Sequence, residues 1–77
     1  MTYKLLETVV LRRDLPQYGL RQGDLGAVVQ VCGSVDLEVE FVTAAGKTQA
    51  LVTLTSDDVR PVSDSDLISV RSTTDGA

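Results

Sequence analysis

Leu37-Glu38-Val39-Glu40-Phe41-Val42 decides the fold class of this chain. Apolar and acidic residues alternate, so Leu37, Val39 and Phe41 share one face of an extended segment while Glu38 and Glu40 share the other. A period of two marks a half-buried β-strand, and a run of apolar residues at i, i+3, i+4 and i+7 over several turns occurs nowhere in the chain. Working outward, Ala44-Ala45-Gly46-Lys47 reads as a tight turn into a strand over residues 48–54, with Ala50, Val52 and Leu54 on one face. On the other side, Gly33-Ser34-Val35-Asp36 is a turn leading back to an apolar run over residues 25–32. Gly23 and Gly26 at the head of that run suit a tight turn and a bulge or close backbone approach. Val29, Val39, Phe41, Val52 and Leu54 are the expected shared core.

The flanks complete a five-strand pattern. Glu7-Thr8-Val9-Val10-Leu11 is a first strand, followed by a connection over residues 12–23 that holds Pro16 and Gly19 among Leu15, Tyr18 and Leu20. Apolar anchors in a connection of that length predict a loop that folds back and packs. Thr55-Ser56-Asp57-Asp58-Val59 reads as a helical turn with Thr55 or Ser56 at its N-cap, and Arg60-Pro61-Val62 as a last strand that Pro61 confines to an edge. The pattern predicts an all-β fold: a small SH3-like five-stranded barrel over residues 5–62, with a short helical turn before the last strand. An oligonucleotide-binding barrel would need a helix between its third and fourth strands, and residues 43–46 leave no room for one. Residues 63–77 read as a polar, flexible tail, interrupted by the apolar island Leu67-Ile68-Ser69-Val70, which suits an added edge strand or a docking segment.

Composition narrows the chemistry. With 77 residues the chain is one domain with a small core, which a partner subunit would reinforce. Eleven acids against seven bases give a net charge of −4, a poor balance for gripping phosphates. The absence of His and the single Cys32 exclude imidazole bases, His metal sites and an intramolecular disulfide. Glu7 interrupts the N-terminal segment before an apolar stretch develops, and no apolar run approaches the ~20 residues that span a bilayer. The expectation is a reduced, cytoplasmic protein that does not engage a membrane.

The residues Glu7-Thr8-Val9-Val10-Leu11, Asp14-Leu15-Pro16-Gln17-Tyr18-Gly19-Leu20, Gly23-Asp24-Leu25-Gly26-Ala27-Val28-Val29, Glu38-Val39-Glu40-Phe41 and Gly46-Lys47-Thr48 occur together here. In that combination the chain resembles a family of small bacterial stand-alone proteins catalogued as a domain of unknown function. The resemblance implies an SH3-like barrel and an antitoxin-like or accessory role beside a neighbouring gene product. It reaches Val62 and says nothing of the tail. The Gly23-to-Val29 stretch also looks like the start of a ribosome-associated motif of SH3-like RNA binders, but those pair the turn with basic clusters and stacking aromatics. Here the bases are scattered and the aromatics number three.

No catalytic constellation emerges. Gly46-Lys47-Thr48 matches the end of a phosphate-binding loop, yet Phe41 occupies the position of its opening glycine. Glu38 and Glu40 are rooted about 7 Å apart on one strand face, without a calcium-loop glycine pattern. Cys32 has no His to activate it and reads as a buried small hydrophobe. The residues therefore predict a non-enzymatic protein-binding module without metal or cofactor, acting on a protein partner or on itself as a homo-oligomer. The alternative is a nucleic-acid-binding barrel of the ribosome-associated type. Tyr18, on a loop stiffened by Pro16, heads the candidate contact residues, with Asp14 beside it and Glu38 and Glu40 as an acidic stripe for a basic partner.

Overall fold

Five apolar runs become five antiparallel strands: β1 (Thr8–Leu11), β2 (Leu25–Cys32), β3 (Asp36–Val42), β4 (Thr48–Thr55) and β5 (Val59–Pro61). The computed structural model describes residues 3–73. The strands form one sheet in the order β4-β3-β2-β1-β5. Consecutive strands β2, β3 and β4 are joined by short turns, as the Gly33 and Gly46 turns require, and β1 is flanked by β2 and β5. The fold is all-β. β4 and β5 do not pair with each other, so among the described residues the sheet has two free edges and the barrel expected from the sequence is not closed by hydrogen bonds.

The core lies on the face carrying Val9, Leu11, Val28, Leu37, Val39, Phe41, Ala50, Val52, Leu54 and Val59, all buried. Phe41 enters this core against the backbone of Gly26. A Cβ at position 26 would fall 2.6 Å from Val39 Cγ1 and 2.9 Å from the Phe41 ring, closer than a side chain tolerates. Gly26 is thus needed for close approach rather than for a bulge.

That contact also corrects the phase of β2. Val28, not Val29, is the core residue, fully buried and paired with Val39, while Val29 is half-exposed. Ala27, Val28 and Val29 are all apolar, so the sequence carries no alternation to phase them; the inward placement of Gly26 does. A register shift between Val28 and Gln30 then takes Val29 out of the alternation.

Two more anchors extend the core beyond the sheet. Tyr3 is buried and its hydroxyl donates to the Val59 carbonyl at 3.3 Å, tying the chain ahead of β1 to β5. Before the last strand, Ser56–Asp58 forms a 3₁₀ turn (η2), the helical turn the sequence predicts. Thr55 is its cap: the Thr55 amide and hydroxyl both donate to Asp58 Oδ2, at 2.9 and 3.2 Å. Asp58 Oδ1 meanwhile accepts from Arg13 Nε at 2.8 Å, so one carboxylate fastens the β4–β5 corner to the segment after β1.

Gly26→Ala is expected to destabilise the domain by about 1–3 kcal/mol through overpacking. Phe41→Ala should cost about 3–5 kcal/mol. In urea denaturation, Gly26→Ala combined with Val39→Ala should lose less than the sum of the two single changes, because the clashing methyl is gone. Additive losses would show that the Val39 methyl is not what holds position 26 to glycine.

Candidate binding site

The long connection after β1 is fastened at every turn. At its base, the Leu11 amide donates to the Asp24 carbonyl and the Gly23 amide to the Leu11 carbonyl, at 2.9 and 2.8 Å. In its middle, Leu15 and Leu20 form an isolated antiparallel bridge, exchanging bonds of 3.0 and 3.1 Å, and both side chains are buried. Between them Pro16–Tyr18 is a 3₁₀ turn (η1), which Pro16 starts with its fixed φ and Gly19 ends at φ +70°. The loop packs back on the core, as its apolar anchors predict.

Side chains complete the fastening. Asp14 Oδ1 accepts from the Gln22 amide at 2.9 Å, bridging the two arms. Gln49, the residue β4 carries at its register shift opposite Phe41 and Val42, donates through Nε2 to the Tyr18 carbonyl at 3.2 Å. The backbone of Tyr18 is therefore held, while the residue remains 40% exposed.

Residues 62–73 form a strap pinned at two points. Arg60 grips Asp66 with paired bonds of 2.8 and 3.0 Å, and Asp66 also accepts from the Ser63 amide at 2.7 Å. Arg71 grips Asp24 with Nε at 2.8 Å and a second bond through Nη2, which also reaches the Gly19 carbonyl at 3.0 Å. Between the pins the apolar island makes no strand: Leu67 is 94% and Val70 97% exposed. The strap frames a groove of 740 Å³ whose lining includes Leu20, Leu25, Phe41, Val42, Gln49 and Ile68. A smaller cleft of 320 Å³ lies between the strap's end and η1, with Asp14, Pro16 and Arg71 among its walls.

Electrostatics reinforce both pins. Partial burial would raise the Asp24 carboxyl, but the hydrogen bonds from Arg71 and from the Arg21 amide outweigh it and hold it below the usual carboxylate range. The bidentate Arg60 contact, helped by the Ser63 amide, holds Asp66 well below that range as well.

The four residues singled out from the sequence are not gathered in one cavity. Tyr18 stands at the end of η1 and lines neither cavity, and Asp14 lines only the smaller cleft. Glu38 and Glu40 stand half-exposed on the outer face of β3, Glu38 between Gln30 and Thr53, Glu40 between Ala27 and Leu51. Glu40 accepts from the Thr48 hydroxyl at 2.6 Å. Sequence reasoning missed Gln49 and both strap pins. Arg60 and Asp66 are six residues apart, a spacing open to notice, whereas Arg71 and Asp24 are 47 apart and nothing local connects them. Cys32, expected to be buried, is half-exposed at the end of β2. Among the described residues no group of three or more His, Cys, Asp or Glu is placed to hold a metal ion, and no helix is long and apolar enough to cross a membrane.

Strand order, core and anchored loop define a small all-β domain of five antiparallel strands. The chain belongs to the family described as Domain of unknown function (DUF4926), whose model matches residues 5–61. No curated protein and no solved structure matches it.

Both strap pins should fail in acid. The folded-state values of Asp24 and Asp66 lie below their unfolded ones, so the pairs contribute fully above about pH 4 and are lost as pH falls through the depressed values. In an NMR acid titration the Ile68 methyl resonances are expected to move toward unstructured positions below about pH 4, before the core methyls do. Strap resonances that stay in place until the core melts would contradict this.

Proposed function

We propose that this chain is a non-enzymatic protein-binding module of SH3-like architecture that presents the Tyr18 loop to a partner protein. One observation carries the reading: Tyr18 is exposed on a loop whose backbone is fixed by the Leu15–Leu20 bridge, Gly19 and Gln49. Such an aromatic loses little freedom on binding, and Tyr offers an apolar ring with a polar tip. Asp14 beside it and the Glu38/Glu40 face supply acidic contacts that suit a basic partner surface.

Three features support the SH3-like assignment: the strand order β4-β3-β2-β1-β5, the long loop after β1 and the 3₁₀ turn between β4 and β5. A cytoplasmic accessory or antitoxin-like role beside a neighbouring gene product fits a domain this small and this acidic. The nucleic-acid reading is the weaker one. Among the described residues Arg13, Arg60 and Arg71, three of seven cations, are already paired with Asp58, Asp66 and Asp24. Those carboxylates are engaged with arginines and backbone amides, which leaves them ill-suited to acid–base work.

Immobilised wild-type protein should retain a partner from native lysate, and Tyr18→Ala should weaken that partner's binding by at least ~1–2 kcal/mol with little change in melting temperature. A variant that melts early but keeps its partner would make Tyr18 a packing residue. Duplex and single-stranded DNA and RNA should show no saturable binding at moderate salt, and tight, salt-sensitive binding would favour the other reading.

A further inference from the structure

Two successive carbonyls of the Tyr18 loop are held by side chains from two different elements. The Tyr18 carbonyl accepts from Gln49 Nε2 on β4 at 3.2 Å, and the Gly19 carbonyl accepts from Arg71 Nη2 on the strap at 3.0 Å. Each carbonyl belongs to a rigid peptide plane, and the two planes meet at Gly19. Holding both therefore fixes both backbone angles of the residue whose φ of +70° ends η1 and turns the chain back toward Leu20. A glycine has the widest backbone freedom of any residue, so at this position a clamp has most to restrain.

Arg71 reaches further than Gly19. The same guanidinium grips Asp24, through Nε at 2.8 Å and again through Nη2. Asp24 closes the turn at the other end of this arm: its Oδ2 accepts from the Arg21 amide at 2.8 Å, and its amide donates to the Arg21 carbonyl at 3.0 Å. One side chain thus joins both ends of residues 19–24. The strap itself is otherwise loosely attached here. Among the described residues no backbone hydrogen bond joins residues 67–71 to the sheet, and Leu67 and Val70 stand in water.

We infer that the strap is the clamp that sets the Tyr18 loop in its binding conformation, with Arg71 as the positioning residue. The inference rests on the loop reading and adds its regulation. Strap closure and partner binding favour each other, and release of Arg71 lets Gly19 turn, so that Tyr18 loses its fixed direction.

Amide hydrogen exchange on the 77-residue chain tests this. Arg71→Ala should make the Tyr18, Gly19 and Leu20 amides exchange about threefold faster or more, while the β2 and β3 amides keep wild-type rates. Gln49→Ala should loosen the same amides from the other side. Because both ties restrain one residue, the double variant should fall short of the product of the two effects. A partner retained from native lysate should leave Arg71→Ala about threefold faster or more. Loop exchange indifferent to Arg71→Ala, effects that multiply as independent ties do, or a partner released at the wild-type rate overturns the inference. Loop exchange that responds as expected, with no partner retained by the wild type, sinks the loop reading and leaves the strap's ordering of the loop standing. A partner that Tyr18→Ala releases, with loop exchange unmoved by Arg71→Ala, sinks the clamp alone.

Discussion

The Phe41 ring lies on the bare backbone of Gly26, and the facing of the central strands follows from that contact. It fixes which face of β2 and of β3 turns inward. Val28 and Val39 then meet in the core, and Glu38 and Glu40 are forced outward. Phe41 is the only Phe in a chain with no Trp, and the other buried aromatic, Tyr3, lies ahead of the first strand. Ring and glycine act together: a side chain at position 26 would collide with Val39 and Phe41, and a smaller residue at position 41 would leave a void that so small a core cannot refill.

From that centre the structure reaches outward through few, specific ties. Leu15 and Leu20 sink into the same core, which turns a connection of a dozen residues into a fixed platform for Tyr18. Gln49 adds a tie from β4, and Arg71 another from the strap through the Gly19 carbonyl. Loop, strap and strand thus meet around one glycine. Arginines serve chiefly as fasteners here: Arg13 holds the β4–β5 corner, while Arg60 and Arg71 hold the strap. Acids outnumber bases by eleven to seven, so one-to-one pairings of this kind leave the chain with a net negative charge.

Much of the sheet was legible in the sequence because its signals are local. The alternation around Phe41 identified β3, glycine-bearing turns bounded β2 and β4, and Thr55 followed by Asp58 announced η2. Val29 was misplaced because three successive apolar residues carry no phase; the phase comes from a contact between strands. Tyr3 was overlooked because one aromatic ahead of the first strand has no periodicity to mark it, although its hydroxyl bonds 56 residues away. At the candidate site, Leu15, Pro16, Gly19 and Leu20 announced an anchored loop through their types alone. The strap was not legible, because the apolar island at residues 67–70 is too short to settle a strand and the Arg71–Asp24 pin joins residues 47 apart. How far the barrel closes was not legible for a related reason: five strands in sequence do not say whether the two edges of the sheet, β4 and β5, meet.

For Tyr18 to stand ready for a partner, its loop must be a rigid extension of the core in the free protein. Backbone ¹⁵N relaxation across residues 12–24 reads that rigidity residue by residue. Order parameters near those of the strands, about 0.85, are expected for Leu15, Tyr18, Gly19 and Leu20. Values below about 0.6 at Tyr18 and Gly19 would show a mobile loop and contradict the claim that the core holds Tyr18 ready for a partner.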